Sequence, residues 1–158
     1  MDIQIRQIKE SEVYLLKDFL YYAIFQREGE ELAPRSIIEK PQLQVYIKDF
    51  GKYKDDFCLC AQAEEKIVGM AWVRNIEGYG SVDNDTTELA ISVLPDYRNK
   101  GIGSKLLAAL LTQLAKKGYK KTSLAVQKDN YAVRMYKKAG YETIGETPEE
   151  FIMIYKFA

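Results

Sequence analysis

Residues 95–104, Pro95-Asp96-Tyr97-Arg98-Asn99-Lys100-Gly101-Ile102-Gly103-Ser104, have the types and spacing needed to hold an anion. Gly101 and Gly103 lack side chains, so backbone N–H groups there can approach a ligand closely. Apolar residues at helical spacing predict a helix from about Gly101 to Lys117, whose N-terminus adds partial positive charge, while Arg98 and Lys100 add formal charge. Together these features read as a cradle for a diphosphate. It is not a P-loop, which requires Gly-x-x-x-x-Gly-Lys-Ser/Thr, and it departs from the dinucleotide fingerprint because the third glycine position is Leu106.

The chain has no histidine and two cysteines, Cys58 and Cys60. Common zinc sites and His-based triads are therefore excluded, and proton transfer falls to Glu, Asp, Tyr, Lys, Cys or water. The cysteines stand two apart in an expected strand, a poor geometry for a disulfide, and read as small buried hydrophobes.

The elements that must position the cradle follow from periodicity. Ile3 and Ile5 open a strand; Ser11 is expected to cap a helix whose apolar stripe runs through Val13, Leu16, Leu20 and Ile24, with Gly29 ending it. Ile37 to Ile47 suggests a second helical segment divided by Pro41. Phe57 to Ala61 and Ile67 to Val73 form a hairpin about Glu64-Glu65-Lys66, residues 78–85 are a polar loop, and Leu89 to Leu94 is a strand stopped by Pro95. After the long helix, Thr122 to Val126 is a strand, Asn130 caps a helix that Gly140 ends, and Tyr141–Ile144 and Phe151–Phe157 close the sheet. This order predicts one α+β domain over residues 1–158 with a mixed sheet of six to seven strands and about four helices.

Composition fits a soluble domain: 47% hydrophobic, with 23 basic and 23 acidic residues, so the whole molecule has no general attraction for nucleic acid or an anionic membrane. Acidic residues cluster at Glu28, Glu30 and Glu31, at Glu77, Asp83 and Asp85, and at Glu142, Glu146, Glu149 and Glu150; convergence of these on one rim would favour a cationic substrate. No basic segment precedes an apolar run, and no run reaches a membrane-spanning length, so a cytoplasmic location is expected.

The glycine segment resembles the acetyl-CoA motif of the GNAT superfamily, the Gcn5-related N-acetyltransferases, with pattern Arg/Gln-x-x-Gly-x-Gly/Ala. Residues 130–141, Asn130-Tyr131-Ala132-Val133-Arg134-Met135-Tyr136-Lys137-Lys138-Ala139-Gly140-Tyr141, resemble the second signature of that family, Asn-x-x-Ala-x-x-x-Tyr-x-x-x-Gly-Phe, with one residue fewer between Asn130 and Ala132 and with Tyr141 in place of the final Phe. The resemblance implies a three-layer α/β/α arrangement around a twisted, mostly antiparallel sheet. It implies acetyl-CoA as cofactor, its pantetheine arm between two splayed parallel strands against the backbone of Ile91 and Val93. It places the pyrophosphate on residues 98–104 (Arg98, Asn99, Lys100, Gly101, Ile102, Gly103 and Ser104) and a further contact at Asn130.

An amine attacking a thioester must arrive neutral, and the departing thiolate gains from a proton donor. Tyr136 matches the tyrosine that often donates in the family, and a neutral phenol suits that role. Glu88, at the start of the strand carrying Ile91 and Val93, is the leading base candidate, with Asp85 and Glu77 as alternatives. Trp72, Tyr21, Tyr22 and Tyr79 are candidate aromatic walls for an acceptor. The expected reaction is direct acetyl transfer to a primary amine, a small cationic amine or polyamine, without a covalent enzyme intermediate. A protein Nα- or lysine acetyltransferase and a non-catalytic acyl-CoA-binding regulatory domain are the alternatives, and a homodimer is left open.

Overall fold

The computed structural model describes residues 2–158. Seven strands, β1 (Ile3–Gln7), β2 (Phe57–Ala63), β3 (Lys66–Arg74), β4 (Thr87–Val93), β5 (Lys121–Gln127), β6 (Glu142–Glu146) and β7 (Glu150–Lys156), form one sheet in the order β1-β2-β3-β4-β5-β7-β6. β4 and β5 run parallel and every other neighbouring pair runs antiparallel. The helices are α1 (Leu16–Ala23), α2 (Pro41–Gln44), α3 (Ile102–Lys116) and α4 (Ala132–Ala139), with 3-10 turns at Glu10–Leu15, Arg35–Glu39 and Pro95–Tyr97. The expected three-layer α+β arrangement is present, and no described helix is long and apolar enough to cross a membrane.

Strand alternation sorts the core onto two faces. Phe57, Leu59 and Ala61 of β2, Ala71 and Val73 of β3 and Leu89 of β4 pack beneath Leu106, Leu110 and Leu114 of α3 and Tyr136 of α4. The intervening Cys58, Cys60, Met70 and Trp72 face the other way, against Leu16, Phe19 and Leu20 of α1 and Tyr46 beyond α2. Covering on both faces explains why β2 and β3 are almost continuously apolar. Cys58 and Cys60 are free and buried, as their spacing suggested.

Three local expectations are corrected. The first helix ends at Ala23, where Ile24 turns extended at ψ 120°, well before Gly29. Ser11 lies inside the first 3-10 turn and does not cap it; Glu12 reaches back instead, its carboxylate accepting from the Lys9 N–H at 2.7 Å while also holding Arg6 at 2.8 Å. A carboxylate satisfies the orphan donor and gains an ion pair that a serine hydroxyl lacks. Pro41 does not divide a helix: it opens α2, where its missing N–H costs no intrahelical bond.

Candidate active site

The site begins with a break in the sheet. β4 and β5 pair at Thr87 with Thr122 and at Glu88 with Ser123, and beyond those residues the strands part, while β5 stays in register with β7 from Lys121 to Gln127. The gap opens into a cleft of about 800 Å³. Ile91 and Val93 pack toward α3, whereas Glu88, one residue out of phase, faces the opposite side of the sheet. Separation of the two strands lets side chains from both faces line one cavity, including Glu88, Ile91, Val93 and Tyr136.

One end of the cleft is the loop into α3. Asn99 has φ 62° and Gly101, the residue before the helix, φ 80°. These two left-handed residues turn the chain sharply into the helix, whose N-terminal N–H groups are a ready site for an anion. Lys105 N–H closes the first helical turn onto Gly101 O at 3.1 Å, so the N–H groups of Ile102, Gly103 and Ser104 have no intrahelical acceptor. A Cβ on Gly103 would lie 3.4 Å from Met135 Sδ and 3.9 Å from Val93 Cγ2, both on residues that line the cleft. Any longer side chain there would take up cleft space. The donor set and the space above it fit a diphosphate.

Arg98, Asn99, Gly101, Ile102, Gly103, Ser104 and Asn130 all line the cleft; exposed Lys100 does not. Arg98 is also engaged inside the protein: its Nε donates to Val93 O and its Nη2 to Tyr22 O, each at 3.1 Å. It ties the end of β4 to the end of α1, and its guanidinium is not the free charged arm that the glycine motif suggested. Asn130 caps α4, its Oδ1 accepting from Ala132 N–H at 2.9 Å.

Tyr136 is 8% exposed and packs edge-on against Tyr141 at 5.7 Å between ring centroids. Among the described residues its hydroxyl has no hydrogen-bond partner. Burial, with a smaller contribution from Tyr131, pushes its pKa above the ordinary phenol value, so the proton stays on at neutral pH.

Glu88 is 3% exposed. Its carboxylate accepts from the Tyr46 hydroxyl and from Ser81 Oγ at 2.9 Å. Burial raises its pKa and outweighs these donors, which pull the other way; the charge of Glu150 adds to the rise. Glu77 and Asp85, the alternative acids, are exposed on the loop before β4 and do not line the cleft. Glu149 and Glu150 do line it; Asp83 and Glu146 are taken up by Lys121 and Lys128. Tyr22 and Tyr79 are walls, whereas Trp72 is buried with its Nε1 donating to Tyr46 O, and Tyr21 donates to Ala33 O. Tyr46 was missed because nothing in the helical pattern of residues 37–47 distinguishes it from its apolar neighbours.

Residues 21–141 match the model of the acetyltransferase (GNAT) family. The chain belongs to this family. A mycothiol acetyltransferase of Clavibacter sepedonicus is 33% identical over 85 residues, 52% of this chain and 26% of that one. An acetyltransferase of Pectobacterium atrosepticum is 34% identical over 90 residues, 56% of this chain and 60% of that one. The aligned stretches thus span about a quarter and three fifths of these relatives. Among solved structures, PaiA N-acetyltransferase from Thermoplasma acidophilum in complex with coenzyme A superposes with a TM-score of 0.72 at 23% identity, covering 99% of this chain and all of that one. A GNAT-family acetyltransferase from Streptococcus pneumoniae gives 0.71 at 18% identity, again with 99% and 100% coverage. At these identities the likeness is one of fold.

Proposed function

We propose that this chain is a single-domain N-acetyltransferase that moves the acetyl group of acetyl-CoA directly to a primary amine. The observation that carries the reading is the parted β4–β5 pair, which gives Glu88 and Tyr136 one cleft from opposite faces of the sheet, with the α3 cradle at its end. The N–H groups of Ile102, Gly103 and Ser104 would hold the diphosphate, and the unpaired edge of β4 at Ile91 and Val93 would lie along the pantetheine arm, near Asn130. Acetyl-CoA supplies the activated acetyl thioester and a thiolate leaving group. Glu88, a buried carboxylate whose proton affinity is raised by burial, takes one proton of the incoming ammonium. Tyr136 holds a proton at its hydroxyl for the sulfur, and the second nitrogen proton, released as the amide forms, restores it. Water exclusion by the surrounding walls strengthens both interactions.

A small cationic amine fits the acceptor side, because Glu88, Glu149 and Glu150 line the cleft there. The test is incubation with acetyl-CoA and a panel of a diamine, a polyamine, lysine and peptides with free N-termini, following thiol release and the gain of one acetyl group by mass. Transfer to the small amines is expected. Coenzyme A binding without transfer to any amine would overturn the reading in favour of a non-catalytic acyl-CoA-binding domain.

A further inference from the structure

The loop between β3 and β4 is pressed against Glu88. A Cβ on Gly78 would sit 2.6 Å from both Glu88 Oε1 and Tyr46 Oη, and one on Gly80 would sit 2.4 Å from the backbone at Leu124 and Ala125 on β5. Neither position has room for a side chain, so residues 76–81 form a strap whose approach to Glu88 depends on two glycines. Tyr46 arrives from the other direction, beyond α2: its hydroxyl donates to Glu88 Oε2 and accepts from the Tyr79 N–H at 3.0 Å. Burial and the neighbouring carboxylate push the Tyr46 pKa up, so it remains a donor.

Ser81 Oγ lies 2.9 Å from Glu88 Oε1 and 2.6 Å from Ile76 O, and accepts from Gly78 N–H at 2.8 Å. A hydroxyl has one hydrogen, so it can serve one of the two acceptors at a time. When Glu88 is charged, Ser81 donates to it. When Glu88 carries a proton on Oε1, that proton can be donated to Ser81 Oγ while the serine hydrogen turns to Ile76 O. Both states of a buried acid then keep their partners, which removes the cost of an unpaired polar group during proton uptake.

We propose that Tyr46 is the positioning residue for Glu88, fixing one carboxylate oxygen, and that Ser81 on the strap exchanges donor for acceptor as Glu88 gains and loses a proton. Which proton is taken rests on the acetyl-transfer reading; the holder itself does not. The other charged groups around Glu88 are Arg74, cross-strand on β3 and bound to Asp56, and Glu150 of β7. Neither supplies the missing control over Glu88 orientation.

The test is a pH titration of the intact protein labelled with carbon-13 at glutamate side-chain carboxyls, with Glu88 assigned by the signal lost in Glu88→Gln. Tyr46→Phe removes a donor that binds the charged carboxylate more strongly than the neutral carboxyl, so the Glu88 proton-binding constant should rise about tenfold. Ser81→Ala removes a partner of both forms and should move it much less. An unmoved Glu88 titration in Tyr46→Phe, or a larger movement in Ser81→Ala, overturns the proposal. Should Tyr46→Phe fail to fold, fluorotyrosine incorporation makes the phenol a stronger donor at little cost in packing, and the Glu88 titration must then move to lower pH; its staying in place overturns the proposal. The acid limb of kcat/KM for 1,4-diaminobutane should follow the spectroscopic titration in each variant. Absence of turnover in the parent sinks the acetyl-transfer reading, while the spectroscopic comparison still decides the role of Tyr46.

Discussion

The two sides of the cleft are built differently. On the α3 side the walls come from contiguous chain: β4 runs through one loop into α3, and Asn130, Met135 and Tyr136 belong to one short segment. On the opposite side Glu88 is held by Tyr46, 42 residues away, and by a glycine strap whose course depends on the backbone of β5. A contiguous cradle is specified by local backbone geometry and survives changes elsewhere. A wall of single long-range hydrogen bonds depends on the packing that brings its segments together, so its substitutions should disturb stability and geometry along with chemistry.

The sharpest way to break that contrast is at Asp56. It forms a two-point pair with Arg74 at 2.9 and 3.2 Å, with side-chain exposures of 1% and 4%, and Arg74 also donates to Val45 O, next to Tyr46. Asp56→Ala leaves a buried guanidinium without its counter-ion and should cost about 3–5 kcal/mol in chemical denaturation. If the loss is under about 1 kcal/mol, the acceptor side does not depend on this anchor. On the cradle side Tyr136→Phe keeps the ring contacts and removes the hydroxyl. Single-turnover acetyl transfer should slow by about 10²-fold with coenzyme A affinity and stability little changed. A Phe variant as fast as the parent across the pH range would dismiss the general-acid role.

The same contrast explains what the sequence made legible. Residues 95–104 and 130–141 could be read because each motif sits inside one strand-loop-helix or loop-helix unit, where glycine freedom and helix caps are local matters. The strands were legible for a similar reason, since the short apolar runs of β2 and β3, separated by the polar reversal at Glu64 and Glu65, need no knowledge of the partner. Tyr46, Gly78, Gly80 and Ser81 were not, because their roles arise from contacts made after the sheet has assembled, and the polar loop carrying three of them has no periodicity. Arg98 falls between these cases: its place beside the cradle was readable, but its bond to Tyr22 O spans 76 residues.

A smaller effect is expected at Gly103. With Met135 Sδ at 3.4 Å from a Cβ there, alanine is tolerable, whereas the branches of valine would occupy the space above the helix N-terminus. Gly103→Val should weaken coenzyme A binding about tenfold or more by calorimetry, on the order of 1.4 kcal/mol, with the thermal midpoint nearly unchanged. Unchanged affinity in a folded variant would remove the cradle from the site.

Arg98 gives the smallest effect and the finest discrimination, because two physical roles predict different outcomes for two substitutions. If its charge attracts the phosphates, Arg98→Lys should resemble the parent, and Arg98→Ala should weaken binding mostly at low salt, where screening is least. The structure favours the other role: the guanidinium fork spans Val93 O and Tyr22 O and holds the open end of β4 to α1. Lysine has a compact ammonium and no planar fork, so it cannot reproduce both bonds in that geometry. Arg98→Lys and Arg98→Ala should therefore lose similar stability, on the order of 1 kcal/mol, with a coenzyme A dissociation constant raised by a similar factor, well under tenfold, at low and high salt. Thermal unfolding beside calorimetry at two ionic strengths separates the roles. A lysine variant with parental stability and affinity would return Arg98 to the role of a phosphate-facing charge.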